Sequence, residues 1–197
     1  MNAVVIDEVQ DEGYYELGMV SDSLIEDQRA ENVIFNQMIF RNVTFKEISF
    51  KYLKLTDVVF EKCDLSNADF SEVSMDRVEF KNCKIIGINI TESSLRNVVF
   101  DNCNANYAVL RYANCKKIDF LNCSLCDADF YTTKLSEVNF SHCDLDKAQM
   151  SGTKLTGIDL SSCQFNQLGI TSEDLRGLII SPEQAIVFSR AFGLVVK

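Results

Sequence analysis

From Phe35 to Ile180, almost every fifth residue is large and apolar, with no break in phase. The run opens Phe35, Phe40, Phe45, Phe50, Leu55, Phe60, Leu65, Phe70, Met75, Phe80 and closes Leu160, Phe165, Ile170, Leu175, Ile180; Ala105 and Cys115 are its small members. Two residues before each centre lies a second, smaller class, as in Val58, Cys63, Ala68, Val73, Val78, Cys83, Ile88, Ser93 and Val98. The inward steps therefore alternate between two and three. An α-helix needs 3.6 and a flat strand a steady two, so neither template accounts for the pattern. It predicts a chain that makes a short extended step, turns a corner and repeats.

The cysteines add a longer period. Cys63, Cys83, Cys103, Cys123, Cys143 and Cys163 all fall in the smaller inward class at intervals of 20, and Phe60, Phe80, Phe100, Phe120 and Phe140 share that interval. Four pentapeptides thus make one coil. Coils stacked at the strand spacing of about 4.8 Å would give about seven turns and a rod on the order of 35 Å long. The expected class is all-β, with each coil burying its inward residues against its neighbours.

The chain after the last repeat reads differently. Ser181 suits a helix N-cap, Pro182 the first helical position, and Gln184 completes a capping box. A helix from Pro182 to Phe192 would end at Gly193 and lead into an apolar Leu194, Val195, Val196, expected as a short strand. The segment should close the last coil, as solenoids require. It is apolar around most of its circumference, so it is also expected to form a two-fold dimer through Ile186, Phe188, Phe192, Leu194, Val195 and Val196. The organisation predicted is an acidic N-terminal segment or cap at 1–31, a repeat solenoid at 32–180 and a capping and dimerisation segment at 181–197.

The stretches SNADFSEVSMDRVEFKNC and LNCSLCDADFYTTKLSEVNFSHCDLDKAQM place a small residue, a polar residue, then Leu or Phe and two further polar residues in each five. This resembles the pentapeptide-repeat family over residues 32–180 and implies a right-handed quadrilateral β-helix. The tail SPEQA with GLVV, and the segment FDNCNANYAVLRYANCKKIDF, resemble the Qnr-type quinolone-resistance proteins. That resemblance implies a rod-shaped dimer that binds DNA gyrase or topoisomerase IV and protects it from quinolones. The uninterrupted register leaves no room for the projecting loops of many Qnr proteins.

Composition sharpens this picture. The 14 Phe and single Pro are the signature of the repeat itself, since 12 of the Phe occupy its centres. A net charge of −10 argues against a general nucleic-acid or membrane-surface binder, and the N-terminus lacks the basic flank and apolar run of a signal peptide, so a cytoplasmic location is expected. The charge is unevenly spread: −8 in residues 1–31, −3 in 32–180 and +1 in the tail. Duplex DNA carries one charge per about 1.7 Å, so a rod imitating it over ~35 Å would need roughly 20, and DNA mimicry could be only partial. The face centred on Leu55, with Lys54, Arg96, Lys116, Lys117, Lys134 and Lys154, sums to +3, and each of the other three to −2.

Candidate partner contacts are therefore the acidic clusters Asp64, Asp69, Glu72 and Glu79, and Asp127, Asp129, Asp144 and Asp146, each of which could equally be a solvated coil surface. Outward aromatic residues are a second candidate: Tyr112 and Tyr131, with Tyr52, share a face with Arg111, and Tyr and Arg are favoured at interface hot spots. The cysteine column reads as small apolar packing rather than a redox or metal site. Cys123 should point inward and Cys126 outward, which would prevent that pair from chelating one ion. With His142 as the single histidine, no nucleophile–base constellation can be assembled. No catalytic residue, cofactor or metal is expected. The reading is a binding protein for a type II topoisomerase, the alternative being a scaffold for another cytoplasmic protein partner.

Overall fold

A computed structural model describes residues 2–6 and 8–196; Met1, Asp7 and Lys197 lie outside the described residues. The strands are β1 (Asn2–Ala3), β2 (Tyr14–Glu16), β3 (Gly18–Ser21), β4 (Leu24–Glu26), β5 (Arg29–Glu31), β6 (Ile34–Asn36), β7 (Ile39–Arg41), β8 (Thr44–Lys46) and β9 (Ser49–Lys51). They are followed by β10 (Lys54–Glu61), β11 (Ser74–Lys81), β12 (Ser94–Asp101), β13 (Asn114–Leu121), β14 (Lys134–Ser141) and one helix, α1 (Pro182–Ala191). Every strand pairing is parallel, and from β2 onward each links residues 20 apart: Phe60 faces Phe80, Phe80 faces Phe100, Phe100 faces Phe120 and Phe120 faces Phe140. One coil per 20 residues is therefore the architecture, a mostly-β parallel solenoid.

The corners are made by the backbone. Nearly every residue two after a centre adopts left-handed φ, from Glu12 (57°) through Asn42 (52°), Asn82 (54°) and Asn102 (53°) to Lys147 (59°). Its N–H, turned along the solenoid axis, donates to a carbonyl in the next coil, as from Asn82 to Asp101 (2.9 Å) and from Asn102 to Leu121 (2.9 Å). Two faces carry continuous strand, because β10 to β14 each bend across one corner. On the other two, past the short pairs β4–β8 and β5–β9, the coils meet through single bridges such as Thr44–Asp64–Lys84–Asn104–Ser124–Asp144–Gln164.

Both inward classes are buried from Ala30 to Phe165, Leu135 excepted, whereas the last expected centres, Ile170, Leu175 and Ile180, are only half-buried because no further coil covers them. Phe40, Phe60, Phe80, Phe100, Phe120 and Phe140 form one stack with successive ring centroids 4.8–5.0 Å apart and planes within 10° of parallel. The six spaced cysteines are buried beside it, and each thiol donates to the carbonyl of a stack phenylalanine one coil back, as from Cys103 to Phe80 (3.4 Å) and from Cys123 to Phe100 (3.3 Å).

Two boundaries differ from the sequence expectation. The acidic segment 1–31 is not separate from the solenoid after Tyr14: β2 to β5 pair with β6 to β9 in the common register, and Val20, Ile25 and Ala30 are buried centres. Before it, β1 lies along β3, Ile6 and Val9 enter the core, and the Val9 N–H donates to the Gln28 Oε1 (2.8 Å). The crossing is close: a Cβ on Gly18 would lie 2.6 Å from Val4 Cγ2. At the other end, Leu194, Val195 and Val196 do not form the expected strand. They lie beyond the last coil: the Leu194 N–H donates back to the Ser189 carbonyl at the end of α1 (2.9 Å), and no strand pairing includes the three among the described residues.

Phe100 sits in the middle of the stack with 2% of its surface exposed. Phe100→Ala should cost about 3–5 kcal/mol in denaturant unfolding; a loss below about 1 kcal/mol would contradict the stacked core.

Candidate functional site

The acidic candidates lie at the surface, where the structure gives most of them local work. Asp64 Oδ1 accepts from the Ser66 N–H (3.0 Å) and hydroxyl (2.6 Å), while Oδ2 meets Lys84 Nζ at 3.2 Å. Asp69 accepts from the Ser71 N–H, the Ser49 hydroxyl and the Asn89 amide. The Tyr131 N–H donates to Asp129, the Asp146 N–H to Asp144, and the Asn166 and Gln167 N–H groups to Asp146. For Asp64, Asp69, Asp129 and Asp144 the bond to the N–H two residues on closes the step after a centre, the local bonding that favours Asp and Asn at turns, whereas Asp146 reaches the next coil. Glu79 pairs with Lys81. Glu72 and Asp127 stand exposed at left-handed corners and enter no ion pair among the described residues.

Titration follows the bonding. Burial alone would raise the Asp64 and Asp69 carboxyls, but hydrogen bonds from Ser66 and Lys84, and from Ser71 and Ser49, hold both below the usual carboxylate range. The Asn166 N–H does the same for Asp146.

The aromatic candidates do come together. Arg111 lies 5.0 Å from the Tyr131 ring centroid and 5.8 Å from that of Tyr112, the two rings meet edge to face at 5.7 Å, and the guanidinium reaches Asp129 at 3.5 Å. Tyr112 is half exposed, as is Tyr52 on the same corner row. Tyr107, which the sequence reading passed over, is the most exposed tyrosine of the repeat region at 59% and occupies the adjacent corner of the same coil. Its signal was its place two after a centre, where the chain turns.

Residues of the C-terminal set divide. In α1, Ser181 and Gln184 form the expected capping box, and the same Gln184 side chain donates to the carbonyls of Leu160 and Cys163, both at 2.8 Å. One glutamine thus starts the helix and satisfies the open end of the last coils. Phe188, expected at a dimer face, is instead buried against Phe165 with centroids 5.6 Å apart, because the helix turns this side toward the solenoid. Ile186, Phe192, Leu194, Val195 and Val196 are exposed, Val195 at 85%.

The thiols are free and, apart from Cys126, buried. Burial pushes Cys115 up to about 12. Hydrogen bonding to neighbouring thiols, with burial, also raises Cys63 and Cys103. The column is packing, with Cys123 inside and Cys126 half-buried outside as expected. Among the described residues, no group of His, Cys, Asp and Glu could hold a metal ion, and no helix is long and apolar enough to cross a membrane.

The sequence matches the family model described as a pentapeptide repeat region, over residues 53–130 and 73–150. No curated protein matches it. Among solved structures, HetL, a pentapeptide repeat protein involved in heterocyst differentiation regulation from the cyanobacterium Nostoc sp. strain PCC 7120, is 15% identical, with 87% of this chain and 90% of that chain covered and a TM-score of 0.48. Full-length QnrB1, a plasmid-mediated fluoroquinolone resistance protein, is 17% identical, with 92% and 100% covered and a TM-score of 0.45.

The lowered carboxyls carry a pH dependence with a definite sign. A folded-state value below the unfolded one gives stability that is present above the unfolded pKa of about 3.9 and lost as pH falls through the folded value. Urea midpoints measured between pH 7 and pH 2.5 should therefore fall more for the natural chain than for Asp69→Asn; identical pH profiles would show that Asp69 does not stabilise its corner.

Proposed function

The chain is a pentapeptide-repeat protein, and from that premise we propose that it is a non-enzymatic binding protein whose partner is a type II topoisomerase, DNA gyrase or topoisomerase IV. The observation that carries the reading is the C-terminal end. A helix opened by Ser-Pro-Glu-Gln-Ala is locked onto the last coils through Gln184 and Phe188, and beyond it Phe192, Leu194, Val195 and Val196 remain apolar and exposed. This is the tail whose sequence resembles the Qnr-type proteins. A second copy covers these side chains in a two-fold dimer, the arrangement that buries an apolar terminus without a further partner.

Electrostatic likeness to a duplex plays a restricted part. Five of the eight candidate carboxylates close turns or accept backbone N–H groups, and Glu79 is paired, which leaves Glu72 and Asp127 facing outward. The N-terminal coil adds the chain's densest acidic surface. The partner is recognised by local contacts on the coil surfaces rather than by a continuous phosphate-like charge line.

Supercoiling by purified gyrase and decatenation by topoisomerase IV, each with and without a fluoroquinolone, should respond to micromolar amounts of the protein; no response in any arm excludes a topoisomerase partner and favours the scaffold for another protein. Phe192→Asp combined with Val195→Asp should sediment as a monomer, and an unchanged sedimentation profile would refute the dimer.

A further inference from the structure

Corner residues with left-handed φ are normally Gly, Asn or Asp, and a bulky side chain there is an outlier. Asn fills many corners of this solenoid, yet Tyr52 (φ 55°), Tyr107 (61°) and Tyr112 (59°) occupy three of them with their rings about half exposed. Two of these, Tyr52 and Tyr112, bracket four successive members of one straight corner row that runs from Glu12 to Gly152. Along one corner the residues read Tyr52, Glu72, Glu92, Tyr112, all exposed and all left-handed. Each donates its backbone N–H to the next coil, Tyr52 to Ser71, Glu72 to Thr91, Glu92 to Arg111 and Tyr112 to Tyr131, so the row is as rigid as the coils.

The charge between the rings is not neutralised across coils, as it is at five other places on the surface. Ion pairs across coils join opposite charges one rung apart: Arg41 with Glu61, Lys46 with Glu26, Arg77 with Asp57, Lys84 with Asp64, Arg96 with Asp76. Glu72 and Glu92 are rung neighbours of the same sign, about 4.8 Å apart by strand spacing, and neither enters an ion pair among the described residues. The Glu72 carboxylate instead acts on the phenol of Tyr52, which it holds above its usual range. The nearby cation Arg111 is engaged by Tyr112, Tyr131 and Asp129.

We propose that this corner row, with the Arg111–Tyr131 pair at its lower end, is a docking face for an extended, arginine-bearing segment of a partner protein. A guanidinium stacks on a tyrosine face and forks onto a carboxylate, which a compact ammonium does less well. Three rungs give the row a length of about 14 Å, the reach of roughly four extended residues, whose alternate side chains recur about every 7 Å. Two arginines separated by one residue thus reach the two carboxylates with a ring on either side. Nucleic acid, carrying phosphate, is repelled by the same pair. The inference rests on the protein-binding reading but not on a topoisomerase being the partner.

The test is fluorescence anisotropy of a labelled Arg-Ser-Arg-Ser-Arg peptide titrated with the full chain. The natural chain should bind it. Glu72→Gln with Glu92→Gln, and separately Tyr52→Asn with Tyr112→Asn, should each weaken binding about tenfold or more; Asn suits the left-handed corner, so folding is retained. Glu8→Gln with Asp27→Asn removes the same charge from the N-terminal segment and should change nothing. Absence of binding to the natural chain, or equal weakening by the N-terminal pair, overturns the proposal. Peptide binding without any effect on gyrase or topoisomerase IV would sink the topoisomerase reading and leave this one standing.

Discussion

A left-handed residue costs an L-amino acid on the order of 1–2 kcal/mol, and this chain places one at nearly every corner from Glu12 to Gly177. Each corner must recover that cost locally, or the fold would not form. The recovery comes from where the turn sends the backbone. A left-handed step points the N–H of the corner residue along the axis, into the carbonyl of the next coil, so the conformation that is strained in isolation supplies the bond that joins one coil to its neighbour. A buried backbone group left unpaired would cost about 1–3 kcal/mol, so a coil without its neighbour forfeits several such bonds at once. The square path, the 20-residue coil and the parallel register are consequences of this one arrangement.

The same constraint sorts side chains. With a corner after every centre, two positions in five point inward, and these accept what packs in a stack: phenylalanine rings 4.8–5.0 Å apart and thiols bonded to the adjacent carbonyls. The other three face water, and one of them, the residue just before the centre, carries the Asp or Asn that accepts from the N–H two residues on. Much of the surface charge is therefore structural. What is left for a partner is smaller and more specific: the apolar tail beyond α1, and the tyrosine-bearing corners where the usual Asn has been replaced.

Much of this was legible in the sequence because the period is long and unbroken. The alternation of two and three identified the corners, the cysteine interval identified the coil, and the capping box placed α1 to within a residue. The first coil was missed for a physical reason. Its centres Val20, Ile25 and Ala30 keep the phase, but the smaller inward class there is Gly13, Gly18, Ser23 and Gln28, so only half the apolar pattern remains among nine acidic residues. Phe188 was misplaced because Ala185, Ile186, Val187 and Phe188 run consecutively around the helix and so do not mark which side turns inward, and the second buried anchor proved to be the polar Gln184. Carboxylates such as Asp64 and Asp69 look like surface charge until the Ser two residues on is noticed, which was the available sign of a closed turn. The Arg111, Tyr112 and Tyr131 cluster was readable because residues near 20 apart are neighbours once the coil is known.

One coil is 20 residues and advances the chain by one strand spacing. Electron–electron resonance between spin labels on a single corner row measures this directly, using Asn42→Cys with His142→Cys and Asp22→Cys with His142→Cys, each in a Cys126→Ser background. At about 4.8 Å per coil, the backbone separations are about 24 Å for five rungs and about 29 Å for six. Two narrow distributions that differ by one rung are predicted; broad distributions, or separations that do not lengthen when the label moves by 20 residues, would contradict the account.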